Sequence, residues 1–179
     1  KRQLLKVEKE RKTQKKRRSN CFCVSLIGYT NAGKSTIMNA LTNSALLVED
    51  RLFATLDSTT RLLEEDSRPK VLLSDTVGFI SNLPHEVVAA FRSTLSIVKE
   101  ADLLLQIIDA SDNIDEHFQT ANDVLKDLEA LSIPIIRIFN KTDKITQTRM
   151  LLLEKLYPEG IFVSAIQEKN KKSENSADF

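Results

Sequence analysis

Three short stretches hold residues whose types and spacing suit phosphate chemistry: "GYTNAGKST" at 28–36, "DTVG" at 75–78 and "NKTD" at 140–143. The first fits the pattern G-x-x-x-x-G-K-[S/T]. Gly28 and Gly33 let the backbone of Tyr29, Thr30, Asn31 and Ala32 turn its N–H groups onto a polyphosphate. The loop then opens a helix, whose N-terminus adds a favourable potential for anions. Lys34 is spaced to reach β and γ phosphates, Ser35 to bind Mg2+, and Thr36 completes the stretch. The chain has only four glycines, and Gly28, Gly33 and Gly78 all fall in these stretches.

In "DTVG", Asp75 can hold magnesium through a water. Thr76 and Val77 lead to Gly78, whose N–H can meet a γ-phosphate because no side chain blocks the approach. The third stretch addresses the base. Guanine shows two donors on one edge, and the Asp143 carboxylate can accept both, whereas adenine presents a lone pair there. Asn140 can tie the loop to the base, the Lys141 stem can cover its flat face, and Thr142 sits between them. "SAI", that is Ser164, Ala165 and Ile166, would close over the base oxygen with a backbone N–H. A further metal ligand is expected in the irregular stretch before "RLLEE". Thr55, Thr59 and Thr60 all qualify by chemistry. A threonine there binds both metal and γ-phosphate, so losing that phosphate would free the loop as a switch.

These stretches need elements to aim them. "CFCVSLI" reads as a buried strand, 35–43 as helix and 44–60 as loop. "RLLEE" and "VLLSD" flank "DSRPK" as a hairpin. "HEVVAAFRSTLSIVKEA" follows Pro84 with apolar residues at helical spacing. "DLLLQIIDA" reads as a strand buried on both faces, 114–131 as an amphipathic helix, "IPIIRIFN" as a strand, 146–157 as a short helix and "GIFVSA" as a last strand. This alternation predicts an α/β fold: about six strands, mostly parallel, one antiparallel hairpin, helices on the flanks. Each chemical stretch follows a predicted strand, where such sheets bind ligands.

The 179 residues are 41% hydrophobic, enough for one domain with a real core. Three parts are expected: a basic helical linker over 1–19, cut from a longer chain; a nucleotide-binding domain over 20–166; and a polar, disordered tail over 167–179. Residues 1–20 carry ten Lys or Arg against Glu8 and Glu10, so of 26 basic and 25 acidic residues the body keeps an acidic excess. Such an arm suits nucleic-acid phosphates. No apolar stretch is long enough to span a bilayer and no signal peptide is evident. Cys21 and Cys23 read as two buried thiols in a reducing compartment, without metal-ligand partners at suitable spacing. A cytoplasmic monomer is expected, with peripheral membrane association open. His117, in "DEHFQ", reads as an exposed helix position, and His85 as a surface residue near the second switch. Phe79, Ile80 and Leu83 read equally well as an outward apolar patch or as inward packing.

Together, "GYTNAGKST", "LFATLDSTTR", "DTVGFISNLPHEVVAAFRSTL" and "ADLLLQIIDAS" strongly resemble the HflX branch of the translation-factor-related GTPases, over about residues 20–166. The resemblance implies a Ras-like G domain that binds GTP or GDP with Mg2+ and engages the large ribosomal subunit. It also implies that Thr55 is the switch threonine on magnesium, within a nucleotide-contacting run Phe53, Ala54, Thr55, Leu56 and Asp57. Lys34, Thr55 and Gly78 would then act in hydrolysis. "SAI" departs from the Ser-Ala-Lys of many GTPases. Phe79 stands where Ras-like enzymes place a water-orienting glutamine, so slow solitary hydrolysis, completed by a partner, is expected. Asn31 either braces the loop or, as in some related GTPases, helps hold a K+ ion near the phosphates. The competing readings are a nucleotide-gated module for another protein or RNA, with hydrolysis incidental, and a phosphate-loop ATPase or kinase, which Asp143 opposes.

Overall fold

A computed structural model describes residues 21–42, 59–63, 67–76, 78–79 and 97–166. The basic arm, the polar tail, Phe53 to Asp57, Val77, Ile80, Leu83, His85 and most of the helix expected after Pro84 lie outside the described residues. Residues 97–99 at the end of that helix are helical.

Strand β1, Cys21–Gly28, runs into the phosphate-type loop. Helix α1, Lys34–Thr42, follows, then strands β2, Thr59–Leu62, and β3, Lys70–Asp75. Strand β4 is Leu103–Asp109, helix α2 is Ile114–Asp127, and strand β5 is Ile135–Asn140. A single 3-10 turn, Thr142–Lys144, leads to helix α3, Gln147–Leu156, and strand β6, Ile161–Phe162.

The sheet order is β2-β3-β1-β4-β5-β6. Only β2 and β3 pair antiparallel; the other neighbours are parallel. Central strands in such a sheet are covered on both faces, so they need unbroken apolar runs. Val24, Leu26, Ile27, Leu104, Ile107 and Ile108 meet that need and are buried. One face packs Val24, Leu26, Leu73, Ile107 and Ile138 against Ile37 and Met38 of α1. The other packs Ile27, Phe79 and Leu104 against Ala121, Leu125 and Leu128 around α2. After β1 the chain builds β3 on one side, then crosses to β4 on the other. The carboxyl end of β1 is therefore the point where strand order reverses, which opens a crevice for a ligand.

Several expectations change. Thr59 and Thr60 belong to β2, not to the loop, and Thr60 Oγ1 lies 2.9 Å from Ser74 Oγ across the hairpin. Helix α2 stops at Asp127 rather than 131. Its end carries a left-handed residue at Glu129 (φ 52°), with Ala130 N–H donating to Leu125 O at 2.9 Å and Glu129 N–H to Lys126 O at 3.0 Å. This is the usual closing motif of a helix, built here without glycine. β6 is shorter than "GIFVSA". Cys21 and Cys23 form no disulfide and are only half-buried, because they sit at the amino end of β1, where the strand reaches the rim. Among the described residues no helix is long and apolar enough to cross a membrane.

Candidate nucleotide-binding site

The loop from Gly28 to Gly33 bends because three of its residues take positive φ: Gly28 at 145°, Asn31 at 61° and Gly33 at 94°. Two of these positions admit no side chain. A Cβ on Gly28 would lie 2.2 Å from Ile107 O, and one on Gly33 would lie 2.3 Å from Asn140 Nδ2. Lys34 opens α1 with its amine folded back, donating to Tyr29 O at 3.0 Å and Gly28 O at 3.3 Å. Burial pushes the Lys34 pKa down to about 8, against the raising influence of the Asp75 charge. Its neighbour Ser35 donates Oγ–H to Asp75 Oδ2 at 2.6 Å. A hydroxyl and a carboxylate thus meet beside a buried cation, at the tips of β1 and β3. Hard oxygen donors of this kind fit Mg2+. The Thr30 hydroxyl, buried in the same loop, has no hydrogen-bond partner among the described residues. It can donate to an anion's oxygen.

The "DTVG" stretch is sewn to this loop. Thr76 Oγ1 donates to Leu26 O at 2.6 Å. Thr30 N–H donates to Phe79 O at 2.8 Å, and Phe79 N–H to Gly28 O at 2.9 Å. Gly78 passes so close that a Cβ there would lie 2.8 Å from Thr30 Cα and 2.9 Å from Lys34 Nζ. Phe79 is 2% exposed, so its ring packs inward rather than forming an outer patch.

The third stretch docks from the other side. Asn140 ends β5 and is buried. Its Nδ2 donates to Ala32 O at 3.0 Å and its Oδ1 accepts from Ala165 N–H at 3.2 Å. Asn140 therefore links the phosphate-type loop to "SAI", and of the three N–H groups there it is that of Ala165 that Asn140 holds. Lys141 has left-handed backbone (φ 63°), and its Nζ reaches Asp109 Oδ2 at 2.7 Å rather than standing free. Ser111 donates to Asp109 Oδ1 from its N–H at 2.9 Å and its hydroxyl at 2.6 Å. Burial works to raise the Asp109 pKa, but the Lys141 and Ser111 bonds outweigh it and hold the carboxyl below its usual range. Ser164 Oγ donates to exposed Asp143 at 2.5 Å. Ile166 is exposed at the rim.

Two carboxylates, Asp109 at the end of β4 and Asp112 on the turn after it, carry no role in the sequence motifs. The signal was present, since "DASD" sits at the carboxyl end of a strand. His117 is also corrected: it is 4% exposed, because its ring packs on Tyr29 instead of facing solvent. Among the described residues no cluster of three or more His, Cys, Asp or Glu could hold a metal.

Comparison with known proteins agrees with this geometry. The family described as 50S ribosome-binding GTPase matches residues 23–141. A protein named GTPase HflX from Gluconacetobacter diazotrophicus is 45% identical over 91% of this chain and 36% of its own length. GTPase HflX of Escherichia coli is 41% identical over 90% of this chain and 39% of its own. The chain thus spans a little over a third of these curated relatives. A crystal structure of a GTP-binding protein from the archaeon Sulfolobus solfataricus in complex with GDP is 30% identical. It covers 93% of this chain and 52% of that one, with a TM-score of 0.62. With its Ras-like sheet and phosphate loop, the chain belongs to the 50S ribosome-binding GTPase family, in the HflX branch.

Proposed function

We propose that this domain binds GTP with Mg2+, hydrolyses it to GDP and phosphate, and uses the difference to switch association with the large ribosomal subunit. The observation that carries the reading is Asn140. It joins the loop suited to phosphate with the loops suited to guanine, so one ligand with a polyphosphate at one end and a guanine at the other spans the crevice. The relatives' printed names and the archaeal complex with GDP support the same ligand.

In this reading Lys34 and the amides of residues 28–36 bind the β and γ phosphates. Gly78 N–H meets the γ-phosphate. Asp143, Asn140, Lys141 and the "SAI" backbone hold the base. Ser35, Thr55 and, through water, Asp75 are the residues that would hold Mg2+. The metal supplies charge neutralisation between the phosphates when bound. The buried Phe79 ring has no group to orient a water. Solitary turnover is therefore slow, and a ribosomal partner completes the site. Asn31, exposed at the loop tip, would be the residue to help hold a K+ ion.

Titration with GTP, GDP and ATP in magnesium buffer tests the reading, repeated on Asp143→Asn. GTP and GDP should bind saturably and ATP should not. The variant should lose about 100-fold or more in GDP affinity while gaining relatively for xanthosine diphosphate. Undiminished GDP binding by the variant would overturn the base assignment. Equal hydrolysis rates in KCl and NaCl would remove K+ from the scheme.

A further inference from the structure

Tyr29 and His117 form the least expected contact in the molecule. Tyr29 is the second residue of the phosphate loop; His117 lies in the first turns of α2. Their rings are nearly parallel, 12° apart, with centroids separated by 4.7 Å. That geometry falls within the range of favourable aromatic stacking. The histidine is held from behind. Its Nε2 lies 3.3 Å from Asp112 Oδ2, and Asp112 Oδ1 accepts from Asn113 N–H at 2.8 Å. Arg149 of α3 fixes the same turn, donating Nη2–H to Asp112 O and Nε–H to Ala110 O, each at 2.9 Å. The other ring nitrogen, Nδ1, takes no part in this contact. It is buried and has no hydrogen-bond partner among the described residues. Asp112 engages only one ring nitrogen, and the flat face of the ring lies toward Tyr29.

Tyr29 in turn sets the lysine. Its carbonyl accepts from Lys34 Nζ at 3.0 Å, and its backbone bridges to Phe79. A shift of Tyr29 moves an acceptor of the lysine that reaches the polyphosphate. We propose that His117 is a positioning residue: by stacking on Tyr29 it holds the phosphate loop, and so Lys34, in the shape that grips the β and γ phosphates of the nucleotide. The assignment rests on the guanine-nucleotide reading of the same site.

The test compares GDP with GMP, which lacks the phosphates that Lys34 reaches. Displacement of a fluorescent GDP analogue from the full chain gives both affinities. His117→Ala should weaken GDP about tenfold, the scale of one lost aromatic contact plus loosening of the loop, and leave GMP within about twofold. His117→Phe keeps the flat face and removes the orphaned nitrogen, so it should restore GDP to within about twofold of the unaltered chain. A general structural role would lower both ligands alike and would show as a fall in melting temperature. Unchanged GDP affinity in His117→Ala, an equal loss of GDP and GMP, or failure of phenylalanine to rescue would each overturn the proposal. If His117→Ala does not fold, Asp112→Ala replaces it. That variant leaves the stack but frees the ring, and should weaken GDP about threefold with GMP unchanged; no change in GDP would count against the proposal. Absence of GDP binding by the unaltered chain would instead remove the nucleotide reading itself, and this inference with it.

Discussion

Lys34 is the residue whose chemistry is most constrained by its surroundings. Its amine is buried, and burial lowers its pKa to about 8 although Asp75 pulls the other way. In the unfolded chain the same amine titrates near 10.4. The folded, empty site therefore holds fewer protons than the unfolded chain between about pH 8 and 10.4. The sign follows: this group's penalty on folding is full below pH 8 and is relieved as pH rises through that window. Nucleotide binding runs the opposite way, because the phosphates need the charged amine. GDP affinity should be flat from pH 6 to 7.5 and fall several-fold by pH 9, while the empty protein does not lose stability from this residue. Calorimetric titrations across that range check it. Affinity that holds constant to pH 9 would show that Lys34 stays charged in the empty site. The glycines act at the same scale. Gly33→Ala would drive a methyl group into Asn140, so a single atom there separates the base loops from the phosphate loop.

At the scale of elements, the site is a meeting of strand ends, and Asn140 at the tip of β5 is the tie. Asn140→Ala leaves the Ala32 carbonyl and the Ala165 amide without their partner. Two such losses cost about 2 kcal/mol, or roughly 6 °C in melting temperature for a domain this size. GDP should also raise the melting temperature less than in the unaltered chain. An unchanged melting point for the empty variant would mean that Asn140 does not couple the loops. The sequence already made most of this arrangement legible. Unbroken apolar runs marked the central strands, Pro69 and its polar neighbours marked the hairpin, and glycine spacing marked the phosphate loop. What escaped did so for physical reasons. The end of α2 has glutamate where a left-handed glycine is usual, so composition gave no stop signal. The burial of His117 depends on a tyrosine from a different loop, and that of Lys141 on the Asp109 carboxylate at a neighbouring strand tip. Local spacing is blind to such partners, since the sheet brings them together only after folding.

At the scale of the whole chain, charge is split between a basic arm and an acidic body. Residues 1–20 carry ten Lys or Arg, enough to neutralise several backbone phosphates of an RNA. The nucleotide site has no comparable excess. Under the proposed switch the two parts should do different work on the ribosome: the arm should supply salt-sensitive attraction, and the nucleotide should set whether the body docks. Co-sedimentation with large ribosomal subunits separates them. With a non-hydrolysable GTP analogue the full chain should pellet more than with GDP, at every salt concentration. Removing residues 1–19 should weaken binding in both states and flatten its dependence on salt, because fewer counterions are released. It should leave GDP affinity unchanged, since the phosphate loop begins only at Gly28. Equal pelleting with the analogue and with GDP would sink the switch while sparing nucleotide binding. Equal salt slopes with and without the arm would assign the ribosomal contact to the acidic body, and the arm to some other task.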